Sequence, residues 1–405
     1  CLVPLVHLSI SLKTSKKEEK ALKKLLKPMP ENIFRLKLNN YWRTIDKNIF
    51  FCFIALFILG LFFSFSSTSS LAGERLDKNY YFFFSKHLIF VIISLFLMFF
   101  ISFIDVKFIK KTSVLFFILF LILLILVPVI GVEVKGAKRW LDLYFFRLQP
   151  IELIKPFFIL ISSLIISSKE FKTRNSAYFF NFLILLTIIL LLANQPDIGQ
   201  SVLIVTTWLA IVFVSGINII YIISLFGISL ISISSLLILL PEKFGYITNR
   251  LISFIDPAKV DSSQAEKALQ AIKVGGIKGQ GMGEGVLKEN VPEAHTDYII
   301  AVIAEEFGSI ISILIICIFL YLAFRIIKSS LIKKEKFLKI SLCGLSSILI
   351  FQTFIHIGVN TSLLPTTGMT LPFLSYGGSS LIGSAILAGI ILNFTKHRLG
   401  ENEFE

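Results

Sequence analysis

The chain has 405 residues, 55% of them hydrophobic and 16% charged, with a mean hydropathy of +0.82; a soluble domain of this length needs far less apolar sequence, so the composition excludes one and places the chain in lipid. The formal net charge of +14 does not argue for nucleic acid, because in a membrane protein Lys and Arg report orientation by where they fall relative to the spans. The cysteines Cys1, Cys52, Cys317 and Cys343 have no metal-like spacing and give no sign of a disulfide framework.

The opening Cys1-Leu-Val-Pro-Leu-Val-His-Leu8 is too short and wrongly flanked for a signal peptide, and is read as a fragmentary start. From Lys13 to Lys47 basic residues alternate with Leu and Ile. That pattern predicts an amphipathic helix on anionic lipid, with docking of a cytoplasmic partner as the other reading. Residues 1–47 are therefore a basic N-terminal arm. Crossing about 30 Å of hydrocarbon takes about 20 mostly apolar residues. About ten stretches qualify or nearly do: 48–67, 87–104, 113–131, 151–168, 177–194, 198–216, 218–240, 298–324, 338–360 and 378–395. The expected fold is all-α: a polytopic membrane domain over 48–395, one large loop at 241–297, and a tail at 396–405.

With both termini cytoplasmic, the inside turns carry Lys107, Lys110 and Lys111, then Lys169, Lys172 and Arg174, then Arg325 to Lys339, and finally Lys396 to Arg398. Roughly 25 of the 40 Lys and Arg then lie inside, as the positive-inside rule expects. The large loop faces outward.

Ionisable groups at the edge of apolar spans are costly and mark functional cavities. Lys138 and Arg139 lie in one outward loop, which continues through Gln149 and Pro150. Pro150 is suited to the first turn of a helix, which places Glu152 and Lys155 three apart on one face. Such a pair enters the bilayer as a neutral couple, while Lys138 and Arg139 reach toward phosphate oxygens. An interfacial Trp and Arg anchor beside a self-neutralised pair is the plain structural alternative. The turn Asn194-Gln195-Pro196-Asp197-Ile198-Gly199-Gln200 sets four polar side chains at an apolar boundary, as a bare turn or as cavity lining.

Between Gly275 and Gly285 glycines recur without a dinucleotide or phosphate-loop register. They predict a flexible loop closing over a substrate at the membrane surface. The same loop ends in Pro292-Glu-Ala-His295-Thr-Asp297 and enters a helix. Asp297, Ala301 and Glu305 recur every four residues, on one helical face. Asp297 reads as a carboxylate general base or as a helix N-terminal charge. His295 and Asp297 lack a third ligand at zinc spacing, so no metal site is expected. The segment from Asn360 to Ser380, through Ser375, is too rich in Pro and Gly for a span. It predicts a re-entrant loop walling the outward cavity, or a plain surface loop.

Gly136-Ala-Lys-Arg-Trp140, Gln149-Pro-Ile-Glu152, Gln195-Pro-Asp197-Ile-Gly199, Pro292 through Asp297, and Leu364-Pro-Thr-Thr-Gly368 through Ser379 resemble, in order, the signatures of the SEDS family of cell-wall polymerases. Ala294, Gln200 and Gly368-Met-Thr-Leu-Pro372 resemble its cell-division branch more than its elongation branch. One departure is Ile151, where the family usually has Ser. The resemblance implies a bacterial inner-membrane peptidoglycan glycosyltransferase that polymerises lipid II on the periplasmic side, with inversion. Asp297 then matches the essential acid and serves as base. Lys138, Arg139, Gln149, Glu152, Lys155, Gln195, Asp197, His295 and Ser375 are the implied substrate-binding residues. Undecaprenyl pyrophosphate is the leaving group, its charge met by Arg139, Lys138 or Lys155, with a divalent cation such as Mg2+ left open as companion. Implied partners are a class B penicillin-binding protein and other divisome proteins. Three other readings stand beside this one: a lipid II flippase, an elongation polymerase, and a nonenzymatic divisome scaffold. No internal repeat of the transporter kind is evident.

Overall fold

The computed structural model describes residues 31–76, 81–134, 136–144, 146–171, 173–221, 263–287, 291 and 293–397, with isolated positions between 223 and 254. The chain divides into two compact units, Cys1–Thr44 and Ile45–Glu405. In the first, α1 (Glu31–Thr44) is helical; the Lys20 to Lys27 part of the expected amphipathic arm lies outside the described residues.

The second unit contains α2 (Lys47–Leu76), α3 (Phe82–Phe103), α4 (Val106–Ile130), α5 (Pro150–Ser167), α6 (Arg174–Asn194), α7 (Ile198–Val214), α8 (Ser263–Gly275), α9 (Ile299–Ile332), α10 (Lys336–Asn360) and α11 (Gly378–Thr395). Among the described residues, eight helices are long and apolar enough to cross a membrane, and α7 is a shorter apolar one. The chain is an integral membrane protein. The expected span at 218–240 falls mostly outside the described residues. Local chemistry sets the helix starts. Asp105 caps α4 by accepting from Lys107 N, Thr173 caps α6 by accepting from Ser176 N, and Pro150 occupies the first turn of α5. The α4 helix begins well before the expected 113 because an apolar count sees only hydrocarbon, whereas Lys107, Lys110 and Lys111 prolong the helix into the interface.

The innermost helices are α5, α10 and α11, while α3 and α4 expose most of their length to lipid. Small residues let α11 approach its neighbours. A Cβ on Gly383 would lie 2.4 Å from the Glu152 carbonyl on α5, and one on Gly389 would lie 2.8 Å from the Met98 carbonyl on α3. The basic helix ends gather at one end of the bundle, where Arg325 pairs with Asp46 at 2.7 Å and Lys110 pairs with Glu335. Lys333 donates to the Lys396 carbonyl at 2.7 Å there.

At the opposite end the all-α expectation needs a small addition. β1 (Val132–Val134), β2 (Ala137–Asp142) and β3 (Arg147–Leu148) form a three-stranded antiparallel sheet between α4 and α5. Three short strands in a loop of polar and apolar residues carry too little periodicity to announce themselves in sequence.

Two loops differ from one another in depth. Residues 361–377, between α10 and α11, re-enter the bundle: Met369, Leu371, Phe373 and Leu374 are fully buried. The Phe373 ring lies 5.3 and 5.1 Å from those of Phe53 and Phe57 within the α2 span. Of the two expectations for this segment, the re-entrant loop is the one found. The glycine-rich segment after α8 is not a free cover. The α9 helix breaks at Gly308, whose φ of 84° suits glycine. The open carbonyls of Glu305 and Glu306 accept from Gln280 N at 2.9 Å and Gly281 N at 3.0 Å, and Ser309 N donates to Gly276 O at 2.9 Å. The glycines bring backbone against backbone, which corrects the expectation of a flexible lid.

Candidate functional site

At the end of the bundle away from the basic helix ends, the sheet, the turn at Pro196, the approach to α9 and the re-entrant loop enclose a cavity of about 970 Å³. Arg139, Gln149, His295 and Asp297, all expected site residues, line it. Lys86, Arg147 and Arg250 join them, from the start of α3, from β3 and from the large loop. None of these three was singled out from sequence as a site residue. A single Lys or Arg near a span end reads as an interfacial anchor, and only the fold brings these to one wall. With Arg139 they set four cations against the carboxylates Asp142, Glu293 and Asp297, a lining suited to an anionic ligand.

Asp297 precedes α9 rather than beginning it. The N-cap is Tyr298, and it makes no side-chain cap bond. Asp297 thus stands just ahead of the helix end, where its charge suits the helix N-terminus, and it also lines the cavity. The expected shared face with Glu305 fails, because Asp297 lies in a turn where helical spacing does not hold. Glu305 is buried and accepts from Leu287 N at 2.7 Å, tying down the glycine-rich segment. Burial, followed by the charge of Asp297, pushes the Tyr298 phenol up and keeps it in its neutral form. Gly368 of the re-entrant loop separates Asp297 from Arg139: a Cβ there would lie 3.2 Å from Asp297 Oδ2 and 3.7 Å from Arg139 Nη1. The side chain of this residue would fill the space between acid and guanidinium.

Arg139 is held in place from below. Its Nε donates to the Gln195 carbonyl at 3.2 Å, its Nη2 donates to the Pro196 carbonyl, and Asp197 Oδ2 lies 3.7 Å from Nε. Asp197 caps α7 through Gln200 N and accepts from Gln149 Nε2 at 3.4 Å. Burial pushes the Asp197 carboxyl up, with Arg139 and the Gln200 N–H opposing that shift. Gln195 and Asp197 thus orient Arg139 and Gln149 and do not line the cavity. Gln195 turns its amide inward to the Leu124 carbonyl at 3.1 Å.

Glu152 and Lys155 form the expected ion pair at 2.6 Å, with both side chains buried. Gln200 Nε2 donates to Glu152 Oε1 at 2.6 Å, and Lys155 Nζ donates to Gln352 Oε1 at 3.1 Å. Gln352 in turn donates to the Thr370 carbonyl at 2.9 Å. This chain of bonds runs beneath the cavity wall, and neither Glu152 nor Lys155 is part of the lining. Lys155 is therefore not placed to meet a phosphate in the cavity.

Lys138 is also outside the lining. It is exposed on β2 while Arg139 beside it is buried, because successive strand residues point to opposite faces. Ser375 is buried, donating to the Thr296 carbonyl at 2.6 Å and accepting from Leu371 N at 2.8 Å, so its hydroxyl ties two backbone groups within the protein. Among the described residues, no three His, Cys, Asp or Glu side chains gather as a metal site.

Residues 46–399 match the model of a family described as cell cycle protein, FtsW/RodA/SpoVE. The chain is 33% identical over 367 residues to a probable peptidoglycan glycosyltransferase FtsW of Caulobacter vibrioides, covering 90% of this chain and 93% of that one. It is 35% identical over 346 residues to the protein of the same name from Wigglesworthia glossinidia brevipalpis, covering 83% and 90%. Among solved structures it is similar to a chain from a peptidoglycan synthase complex that coordinates polymerization and crosslinking. That match has a TM-score of 0.72, 25% identity, and coverage of 87% of this chain and 97% of that one. The fold is also that of the rod shape determining protein RodA of Thermus thermophilus, with a TM-score of 0.64, 24% identity and the same coverage.

Proposed function

The chain belongs to the FtsW/RodA/SpoVE family of cell cycle proteins, and from that premise we infer that it is a peptidoglycan glycosyltransferase of cell division that polymerises lipid II into glycan strands. The observation that carries the reading is Asp297 facing a cation-lined cavity, with Arg139 across the Gly368 gap. In the proposed step Asp297 takes the proton of the acceptor sugar hydroxyl as its oxygen attacks the donor's anomeric carbon. The new C–O bond forms on the face opposite the breaking one, and undecaprenyl pyrophosphate leaves with the bonding pair. Arg139, Arg147, Arg250 and Lys86 supply the counter-charge for the pyrophosphate. They replace Lys138 and Lys155 in that role. A divalent cation such as Mg2+ would arrive with the pyrophosphate, and the steps above use only side chains of this chain.

The concentration of basic residues at one end of the bundle supports placing that end in the cytoplasm. The cavity then opens on the periplasmic side of the inner membrane. A class B penicillin-binding protein within the divisome is the proposed partner, which would crosslink the strands.

The test is strand synthesis from purified lipid II by the reconstituted protein, with such a partner present but inactivated for crosslinking. Long glycan is the expected product. Lipid II crossing the bilayer without glycan would instead make the chain a transporter, and filaments rather than round cells on depletion would place it in division rather than elongation.

Gly368→Ala tests the gap between acid and guanidinium. A methyl 3.2 Å from Asp297 Oδ2 must displace the carboxylate by a few tenths of an ångström. Turnover is expected to fall by about threefold to thirtyfold, since small misplacements at a reacting centre are costly. Thermal unfolding should be unchanged, and full turnover would show that nothing reacts in that gap.

A further inference from the structure

Three successive carbonyls lead up to the proposed catalytic carboxylate, and each accepts a hydrogen bond from residues 360–376. His295 O accepts from Tyr376 N at 3.0 Å, Thr296 O accepts from the Ser375 hydroxyl at 2.6 Å, and Asp297 O accepts from Asn360 Nδ2 at 3.1 Å. We propose that Asn360 and Ser375 are positioning residues for Asp297, an inference that rests on the glycosyl transfer above.

The approach to α9 is a turn with Glu293 at a φ of 58°, so no ladder of a regular element sets the backbone of Asp297. The direction of a side chain follows from its backbone, and these three hydrogen bonds fix the carbonyls of a half-buried turn. Asn360 is fully buried at the end of α10. Its Nδ2 also donates to the His356 carbonyl at 2.8 Å, and its Oδ1 accepts from Ala301 N at 3.3 Å in the first turn of α9. One amide therefore bridges α10 to both sides of Tyr298. Ser375 holds the preceding peptide from the deep part of the re-entrant loop, where it also accepts from Leu371 N.

The same loop lines the cavity with Thr366, Thr367, Gly368 and Thr370. The wall against which a substrate lies and the backbone that aims the base thus belong to one frame. A substrate seated on that wall meets Asp297 already in register, which is how preorganised geometry raises turnover.

Asn360→Leu removes the amide at similar volume, and Ser375→Ala removes the hydroxyl. Both are measured as reconstituted full-length protein with lipid II, with turnover expressed per folded molecule. Asn360→Leu is expected to lower kcat by about tenfold to hundredfold and Ser375→Ala by about threefold to tenfold, each with KM within about twofold of the native value. A merely structural role would reduce the folded fraction and leave kcat per folded molecule intact, and that result overturns the proposal. If Asn360→Leu does not fold, Ser375→Ala decides alone. Asp297→Asn, run in parallel, separates the two levels. An active Asp297→Asn removes the reading on which the proposal rests, whereas an inactive one beside fully active Ser375→Ala overturns the positioning role alone.

Discussion

Asp297→Asn is expected to lower strand synthesis by about 10²- to 10⁴-fold, the contribution of a positioned general base. The substitution keeps the shape of the side chain, so the clearance over Gly368 and the bonds from Asn360, Ser375 and Tyr376 to the preceding backbone remain. What is lost is the capacity to accept a proton. Because the cavity keeps all four of its cations, donor binding should persist, and the loss should fall on kcat with KM little changed. Thermal unfolding in detergent, measured alongside, should match the native protein. A normal strand yield from Asp297→Asn would remove the carboxylate from the chemistry and leave the cavity as a binding site only.

Lys155→Met is expected to produce the largest loss of stability. Lys155 and Glu152 lie 2.6 Å apart and are both buried, with Gln200 and Gln352 completing their hydrogen bonds. Removing one partner leaves an uncompensated charge, at a cost of about 3–5 kcal/mol, whereas removing both costs much less. The double variant Glu152→Gln with Lys155→Met should therefore recover most of the unfolding temperature that the single variant loses. The packing of α11 against this turn through Gly383 makes the strain felt across the innermost helices. If the double variant is both stable and active, the pair serves the fold beneath the cavity. A double variant that is stable but inactive would instead give the pair a part in the reaction that the cavity lining does not suggest. No recovery at all would show that the two charges are not each other's main compensation.

The buried pair and the re-entrant loop belong to one continuous polar path. From Lys155 it passes through Gln352 to the Thr370 carbonyl, and from there the loop continues to Ser375 and the backbone of Asp297. The family resemblance implies that Ser375 touches substrate. Its neighbours in space show a different use, since its hydroxyl ties two backbone groups.

The amino-acid sequence by itself determined that the chain spans a membrane, where most of its helices run, and which end is basic. Each of these follows from runs of about 20 residues or from local charge, with no need to know what packs on what. It also determined the Glu152 and Lys155 pair and the helix start at Pro150, since residues three apart on a helix are neighbours whatever surrounds them. Tertiary structure alone decided which polar groups share the cavity. Lys138 and Arg139 are adjacent in sequence, yet the pleat of β2 sends only Arg139 to the lining. Lys86 and Arg250, far apart along the chain, meet there because α3 and the large loop end at the same side of the bundle. Glu305 does not share a face with Asp297 because Asp297 lies in the turn two residues before the helix starts at Ile299, and the break at Gly308 draws the glycine-rich segment onto Glu305. Membrane insertion is decided by local hydrophobicity, which a sequence states directly, whereas a site is a set of distances between distant residues, which only the packed chain defines.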